Sequence, residues 1–382
     1  MSAVTSRHVI GLIAMSLWMA ARLSASEPSP APQSPAAVPA DPTSAEPSAP
    51  AAVEDLLPIP EFGTEAARQR DRALLRLWQR DIEAYHRLTD DPPEIRGEAA
   101  RFMRLVQASM LPTPRLMNNK LPASLGDSLL EKGSRDVLIR SYLAWTLMRD
   151  GDYERAGSLF AASWREWDQS PYPPETRRVA LTTYVRMLEE LRNYPDDMVR
   201  AQLNLTQALI QFLHSRFEDE TITEDLERAV FYELQLLYGN ITIHGPLTSR
   251  LPFLHQLRLE KTTPWLRSMV TAVMHTKSAW SARGNRFAHQ VTPDQWRLFY
   301  EFSEDAVEEL QKAIELHPDY PEAYGEMIMI ATSTGRYGTP REWFEKAVAA
   351  QYDYIPAYRS YLTSLYPRWG GDLEQMLAFA QE

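Results

Sequence analysis

Cysteine is absent from the 382 residues. With it go disulfide frameworks, cysteine-based zinc sites, a thiol nucleophile and the acylated cysteine of a lipoprotein. A chain without thiols suits an oxidising compartment, although cytosolic proteins can lack them too. Glycine is scarce, at 15 residues, and no glycine-rich phosphate loop or G-x-S-x-G elbow exists. The eight histidines are scattered, without an H-E-x-x-H pattern or a close pair, so no metal site and no cofactor are expected. Lys and Arg number 40 against 51 Asp and Glu, a net charge of -11, and no window gathers the basic cluster that phosphate neutralisation needs. Nucleic acid is therefore not an expected partner.

Long apolar runs are also missing, apart from one near the start. Arg7 and His8 precede Val9–Ala21, and the small residues Ser24, Ala25 and Ser26 follow, the pattern of a secretory signal over 1–25. At 13 residues the run is short of the roughly 20 needed to span a bilayer. The expected location is periplasmic or extracellular, with no integral membrane domain after signal removal. The alternative is an inner-membrane anchor through uncleaved residues 9–21, because Arg22 and Leu23 make the cleavage region imperfect. Residues 26–60 are mostly Pro, Ala and Ser, with too little apolar surface to offset the entropy of ordering, and read as a disordered, semi-stiff linker.

What is present is helical spacing. Hydrophobic residues make up 44% of the chain, ample for a core. Leu74, Leu77, Trp78, Ile82 and Tyr85 fall on one stripe, with Arg, Asp and Gln on the other side. Similar stripes recur to Leu316, and no comparable run alternates with period two. Thr263-Pro264, Thr292-Pro293 and Thr339-Pro340 read as helix starts, with Thr capping and Pro at the first helical position. Thr221 with Glu224 has capping-box spacing. Two prolines and a glycine within 240–262, with Gly239 just before it, mark a connecting segment between an N-terminal helical region, 61–239, and a C-terminal one, 263–382.

The C-terminal region repeats itself. HPDYPEAY at His317–Tyr324 returns as QYDYIPAY at Gln351–Tyr358, so Tyr320 and Tyr354, Ala323 and Ala357, Tyr324 and Tyr358, and Ala313 and Ala347 are each 34 residues apart. With Gly335 and Tyr337 at the turn, and Phe344 and Ala347 beyond it, the unit resembles the tetratricopeptide repeat, a pair of antiparallel helices. Pro340 departs from that pattern and is expected to delay the second helix, with Thr339 as its cap. Gly151, Tyr153, Ala156 and Phe160 have the same turn-helix form. The resemblance implies an all-α fold, an array of helical hairpins in a right-handed α-solenoid.

Two further elements, AWSARGNRFAHQVTPDQWRLF at Ala279–Phe299 and YPRWGGDLEQMLAFA at Tyr366–Ala380, flank the repeats. Their order is similar to that in an uncharacterised family of bacterial helical-repeat proteins bearing Trp-x-Ala-Arg-Gly and Pro-Arg-Trp-Gly-Gly elements. Asp372 stands where that family has Ser. The resemblance supplies an architecture and no activity. Read from the residues alone, Arg283 complements a helix C-terminus beside a left-handed Gly284, while Gly370, Gly371 and Asp372 turn the chain into a final helix. The second reading makes Trp280, Arg283, Trp296, Arg368 and Trp369 a binding surface, since Arg forks carboxylates and Trp stacks. Tyr320, Tyr324, Tyr354 and Tyr358 are candidates to extend it.

Catalytic candidates are few. Glu189-Glu190, Asp196-Asp197 and Glu308-Glu309 are carboxylate pairs of the kind glycoside hydrolysis uses, but neighbours on a helix point apart. His275 and His289 are possible acids or bases. The expected function is a non-catalytic exported scaffold that binds a protein or peptide. The alternatives are an envelope enzyme acting on glycan or peptide, and a purely structural envelope component.

Overall fold

The computed structural model describes residues 63–112, 120–183, 208, 211–219, 221–238, 259–284 and 286–381, and every regular element among them is helical. The expected signal, the linker and most of the connecting segment lie outside the described residues. The N-terminal helices are α1 (Glu65–Leu88), α2 (Pro93–Met110), α3 (Lys120–Glu131), α4 (Val137–Arg149) and α5 (Tyr153–Glu166). Then come α6 (Glu224–Tyr238), α7 (Pro264–Arg283), α8 (Pro293–Leu316), α9 (Pro321–Thr334), α10 (Pro340–Ala350), α11 (Ile355–Ser364) and α12 (Leu373–Gln381). No described helix is long and apolar enough to cross a membrane.

The helix starts follow from local chemistry. The hydroxyls of Thr292 and Thr339 accept the backbone N–H of Gln295 and Glu342, whose side chains accept the Thr N–H in return, so two otherwise unpaired donors are satisfied at each start. Thr263 accepts from Leu266 N at 3.2 Å. The expected cap at Thr221 is corrected, because α6 begins at Glu224 and Thr223 is the residue that precedes it.

Sequence neighbours pack as antiparallel hairpins: α2 on α3, α3 on α4, α4 on α5, α7 on α8, α9 on α10 and α10 on α11. Next-but-one contacts, α2 on α4 and α9 on α11, make the arrangement helical-repeat-like. The recurring small residues sit where helices meet, with Ala323, Ala347, Ala357 and Ala156 buried. Phe160 is buried, and Tyr153 packs half-buried on the same core. Phe344 fills the space between α10 and α11, edge-on to Tyr358 and stacked on Tyr361, with centroids 5.1 and 4.8 Å away.

Gly335 ends α9 in the left-handed region, and Gly151 turns the α4–α5 hairpin at φ 85°. Tyr337 also has positive φ, at 64°, a conformation that a bulky residue resists. Its carbonyl is held by the Trp343 indole N–H at 2.7 Å.

The turn into α12 allows no side chain at Gly371, where a Cβ would lie 2.1 Å from the Leu365 carbonyl oxygen. Gly371→Ala is therefore expected to displace the turn and lower stability by about 1–3 kcal/mol. Urea unfolding followed by circular dichroism checks this, and an unchanged midpoint would contradict it.

One hydrophobic core runs without interruption from Ala73 on α1 to Ile330 on α9. α1 corrects an expectation, since Arg70, Asp71, Gln79 and Asp81 on its polar side are buried. The helix lies between α2 and α6, against the 3-10 turn Pro174–Arg177, so its polar side meets protein. Its first turn also reaches the far end of the chain. Thr64 donates its N–H and its hydroxyl to the two Asp353 carboxylate oxygens at 2.7 and 3.0 Å. Burial acts to raise the Asp353 carboxyl, but these bonds hold it below the usual range.

Candidate binding surface

The α7–α8 hairpin sets one end of the surface. Trp280 and Arg283 lie in the last turn of α7, and Trp296 lies in the first turn of α8, so antiparallel packing brings them together. The loop between them begins at Gly284 with φ 72° and ψ -175°. That glycine has the expected positive φ, but its extended ψ is not the left-handed cap anticipated. Extension carries the backbone outward, and Arg283 follows it, donating from one Nη to the Gly284 and Arg286 carbonyls at 3.0 and 3.2 Å.

The Arg283 guanidinium sits between two indoles, 5.5 Å from the Trp280 ring and 5.1 Å from the Trp296 ring. Phe299 is buried beneath both, with centroids 5.4 and 5.6 Å away. The 3-10 turn Pro367–Trp369 adds the third indole, Trp369, edge-on to Trp280 at 6.0 Å. The buried Trp369 Nε1 has no acceptor among the described residues. Arg368 is exposed, with its guanidinium 5.5 Å from the Trp369 ring. All five expected residues thus converge, with Arg283 bracing the loop and Arg368 open to solvent.

Two contributors carried no sequence signal. Tyr300 stacks on Trp296 at 5.8 Å, and the exposed Arg336 lies 4.2 Å over the Tyr300 ring. Arg283, Trp296, Tyr300 and Arg336 therefore form a stack of two aromatic rings with a guanidinium at each end. Among the described residues none of Arg283, Arg286, Arg336 and Arg368 has a carboxylate in ion-pair range, an uncommon state on a chain with excess acid. Burial lowers the Arg283 pKa below its ordinary value. Phe287, 74% exposed and stacked on His289, adds an apolar element to the loop.

The four tyrosines are engaged elsewhere. Tyr324 and Tyr354 are buried, Tyr320 stacks on His317 at 4.3 Å, and the Tyr358 hydroxyl donates to the Tyr352 carbonyl at 2.8 Å.

A second polar cluster is sealed inside the N-terminal helices. Asp81 accepts from the Tyr142 hydroxyl at 2.5 Å and from Arg178 at 3.2 Å. Glu233 accepts from the Trp78 indole at 3.1 Å and from Arg216 at 3.1 Å, with the Arg178 Nε 3.4 Å away. Burial pushes the Asp81 carboxyl up to about 6 against the opposing pull of Arg178. Arg178, Glu233 and Tyr142 are all within 1% of full burial, so no substrate reaches the cluster as it stands.

Of the other candidates, Glu189-Glu190 and Asp196-Asp197 lie outside the described residues. Glu308 is exposed, and Glu309 accepts from Lys312 at 2.6 Å. His275 stands 3.6 Å from Asp305. No group of three metal-ligating side chains occurs among the described residues.

No family model, characterised protein or solved structure matches the chain. The surface is therefore argued from its own geometry.

Proposed function

We propose that the protein is an exported, tethered scaffold that binds a protein or peptide through the Arg283 surface. In this reading Val9–Ala21 directs export, residues 26–60 provide reach, and the hairpins form a right-handed tetratricopeptide-like solenoid. The supporting observation is the set of four arginines without carboxylate partners among the described residues, two of them stacked on indoles. Such groups are preorganised for carboxylates, and the indoles offer flat apolar area beside them. The ligand chemistry that fits is an extended peptide with acidic side chains.

The test compares wild type with Arg283→Ala/Arg368→Ala, checked by circular dichroism for unchanged helicity. Affinity capture and crosslinking from envelope fractions, followed by anisotropy titration with acidic peptides of the captured partner, give the readout. The double variant is expected to bind at least about tenfold more weakly, a loss of about 1.4 kcal/mol or more, with binding that falls as salt rises. Equal affinity of the folded variant and wild type would remove this surface from the function.

A further inference from the structure

The turn after α9 is strained in a way that places one side chain. Gly335, Tyr337 and Gly338 have positive φ, at 66°, 64° and 92°, and Arg336 stands among them. A tyrosine holds that conformation only where its surroundings impose it. Here the Trp343 indole N–H donates to the Tyr337 carbonyl at 2.7 Å, and the Tyr337 ring packs half-buried against the core. The chain so turned carries Arg336 over α8, with its guanidinium 4.2 Å from the Tyr300 ring.

From Tyr300 the aromatic floor runs back to the α7–α8 loop. Trp296 and Tyr300, one turn apart on α8, stack at 5.8 Å with their planes 22° apart, and Arg283 stands 5.1 Å from the Trp296 ring. The two guanidiniums are therefore at most about 15 Å apart. Arg283 is braced by the Gly284 and Arg286 carbonyls, and the Arg336 backbone N–H donates to the Thr334 hydroxyl at 3.1 Å. Glu304, one turn beyond Tyr300, acts to raise the Tyr337 hydroxyl but lies outside ion-pair range of Arg336.

Two carboxylate-binding forks held at a fixed separation select for two carboxylates at a matching one. The second contact gains from the first only when the ligand's own spacing fits. An extended peptide advances about 3.1–3.4 Å per residue, so the span corresponds to acidic residues about three or four apart. Adjacent residues point to opposite sides, and separations of eight or more overshoot.

We propose that Arg283 and Arg336 form a spacing-selective clamp for a peptide bearing two acidic side chains about three to four residues apart, whose intervening residues lie on Trp296 and Tyr300. This deepens the reading of the surface as an acidic-peptide site and rests on it. Arg336 and Tyr300 are the specificity-determining residues it adds.

The test uses labelled twelve-residue polyproline peptides as rulers, because that helix rises about 3.1 Å per residue and repeats every three. Two glutamates three residues apart then stand about 9 Å apart on one face, and two placed nine apart stand about 28 Å apart on the same face. The two rulers have the same length, charge and composition, and a third peptide carries a single glutamate. In anisotropy titrations of the full chain, the short ruler is expected to bind at least about tenfold more tightly than the long one. The long ruler should bind within about twofold of the single-glutamate peptide, since it can fill only one fork at a time. Arg336→Gln, a change at an exposed side chain, is expected to abolish the preference for the short ruler.

Equal affinity of wild type for the two rulers would overturn the clamp. So would an Arg336→Gln variant that weakens every peptide alike and keeps the preference, since that is general attraction with no part in spacing. Either result leaves the acidic-peptide reading standing. Failure of wild type to bind any of the three peptides removes that reading and the clamp together.

Discussion

Arg178→Met is expected to lower stability by about 3–5 kcal/mol near pH 7.5, the loss that follows when one partner of a buried ion pair is removed. The guanidinium bonds Asp81, approaches Glu233 and lies 4.1 Å over the Trp78 ring. Methionine fills part of the volume but leaves the buried Asp81 carboxyl with only the Tyr142 hydroxyl as donor. Glu233 suffers less, because Arg216 and Trp78 still reach it. Urea unfolding followed by circular dichroism gives the number, and a loss below about 1 kcal/mol would mean that the cluster is not the keystone its burial suggests.

The same cluster fixes a pH dependence. The folded-state pKa of Asp81, about 6, lies above the ordinary aspartate value of 3.8, so between those values the folded protein binds a proton that the unfolded chain releases. The associated stability is fully present below about pH 4 and is lost as pH rises through 6. Taking the wild type from about pH 7.5 to about 4.5 therefore gains roughly 2 kcal/mol from this group relative to Asp81→Asn. The Arg178→Met deficit should shrink over the same interval, since protonation removes the stranded charge.

The C-terminal hairpins were legible because their chemistry is local. Thr339-Pro340 and Thr292-Pro293 announce helix starts, Gly335 announces a left-handed stop, and the 34-residue return places Ala323, Ala347 and Ala357 at helix contacts. The convergence of Trp280, Arg283, Trp296, Arg368 and Trp369 was legible as a cluster near one end. Tyr300 and Arg336 were not, because the loop after α9 brings Arg336 over α8 only once both are folded. α3 carried no signal, since Pro122 and Gly126 interrupt KLPASLGDSLLE. Gly126 in fact lets Phe102 on α2 and Leu143 on α4 approach, as a Cβ there would meet them at 3.0 and 2.7 Å. The polar side of α1 misled for a physical reason. Periodicity separates polar from apolar faces but does not say whether the polar face meets water or Arg178, Tyr142 and Asp353.

Arg228→Met is expected to cost a similar amount, about 3–5 kcal/mol, but at a different seam. Arg228 on α6 bonds Glu322 on α9 at 2.8 Å and Gln351 at 2.7 Å, and it lies 4.8 Å over the Tyr320 ring. Glu322 and Gln351 are buried, and Glu322 Oε2 already lacks a hydrogen-bond partner among the described residues, so the variant strands a carboxylate between the N-terminal helices and the C-terminal hairpins. Among the described residues the Thr64–Asp353 clasp, the Gln235–Glu326 hydrogen bond, the Glu227 contacts with Thr263 and His317, and apolar packing then still join the two regions. Hydrogen exchange in residues 321–364 should therefore accelerate well ahead of α1, α2 and α4, whereas Arg178→Met should accelerate α1, α4 and α6 first. If both variants open all these helices together, the two ion-pair clusters belong to one cooperative unit. The seam at Arg228 then stabilises the fold without dividing it.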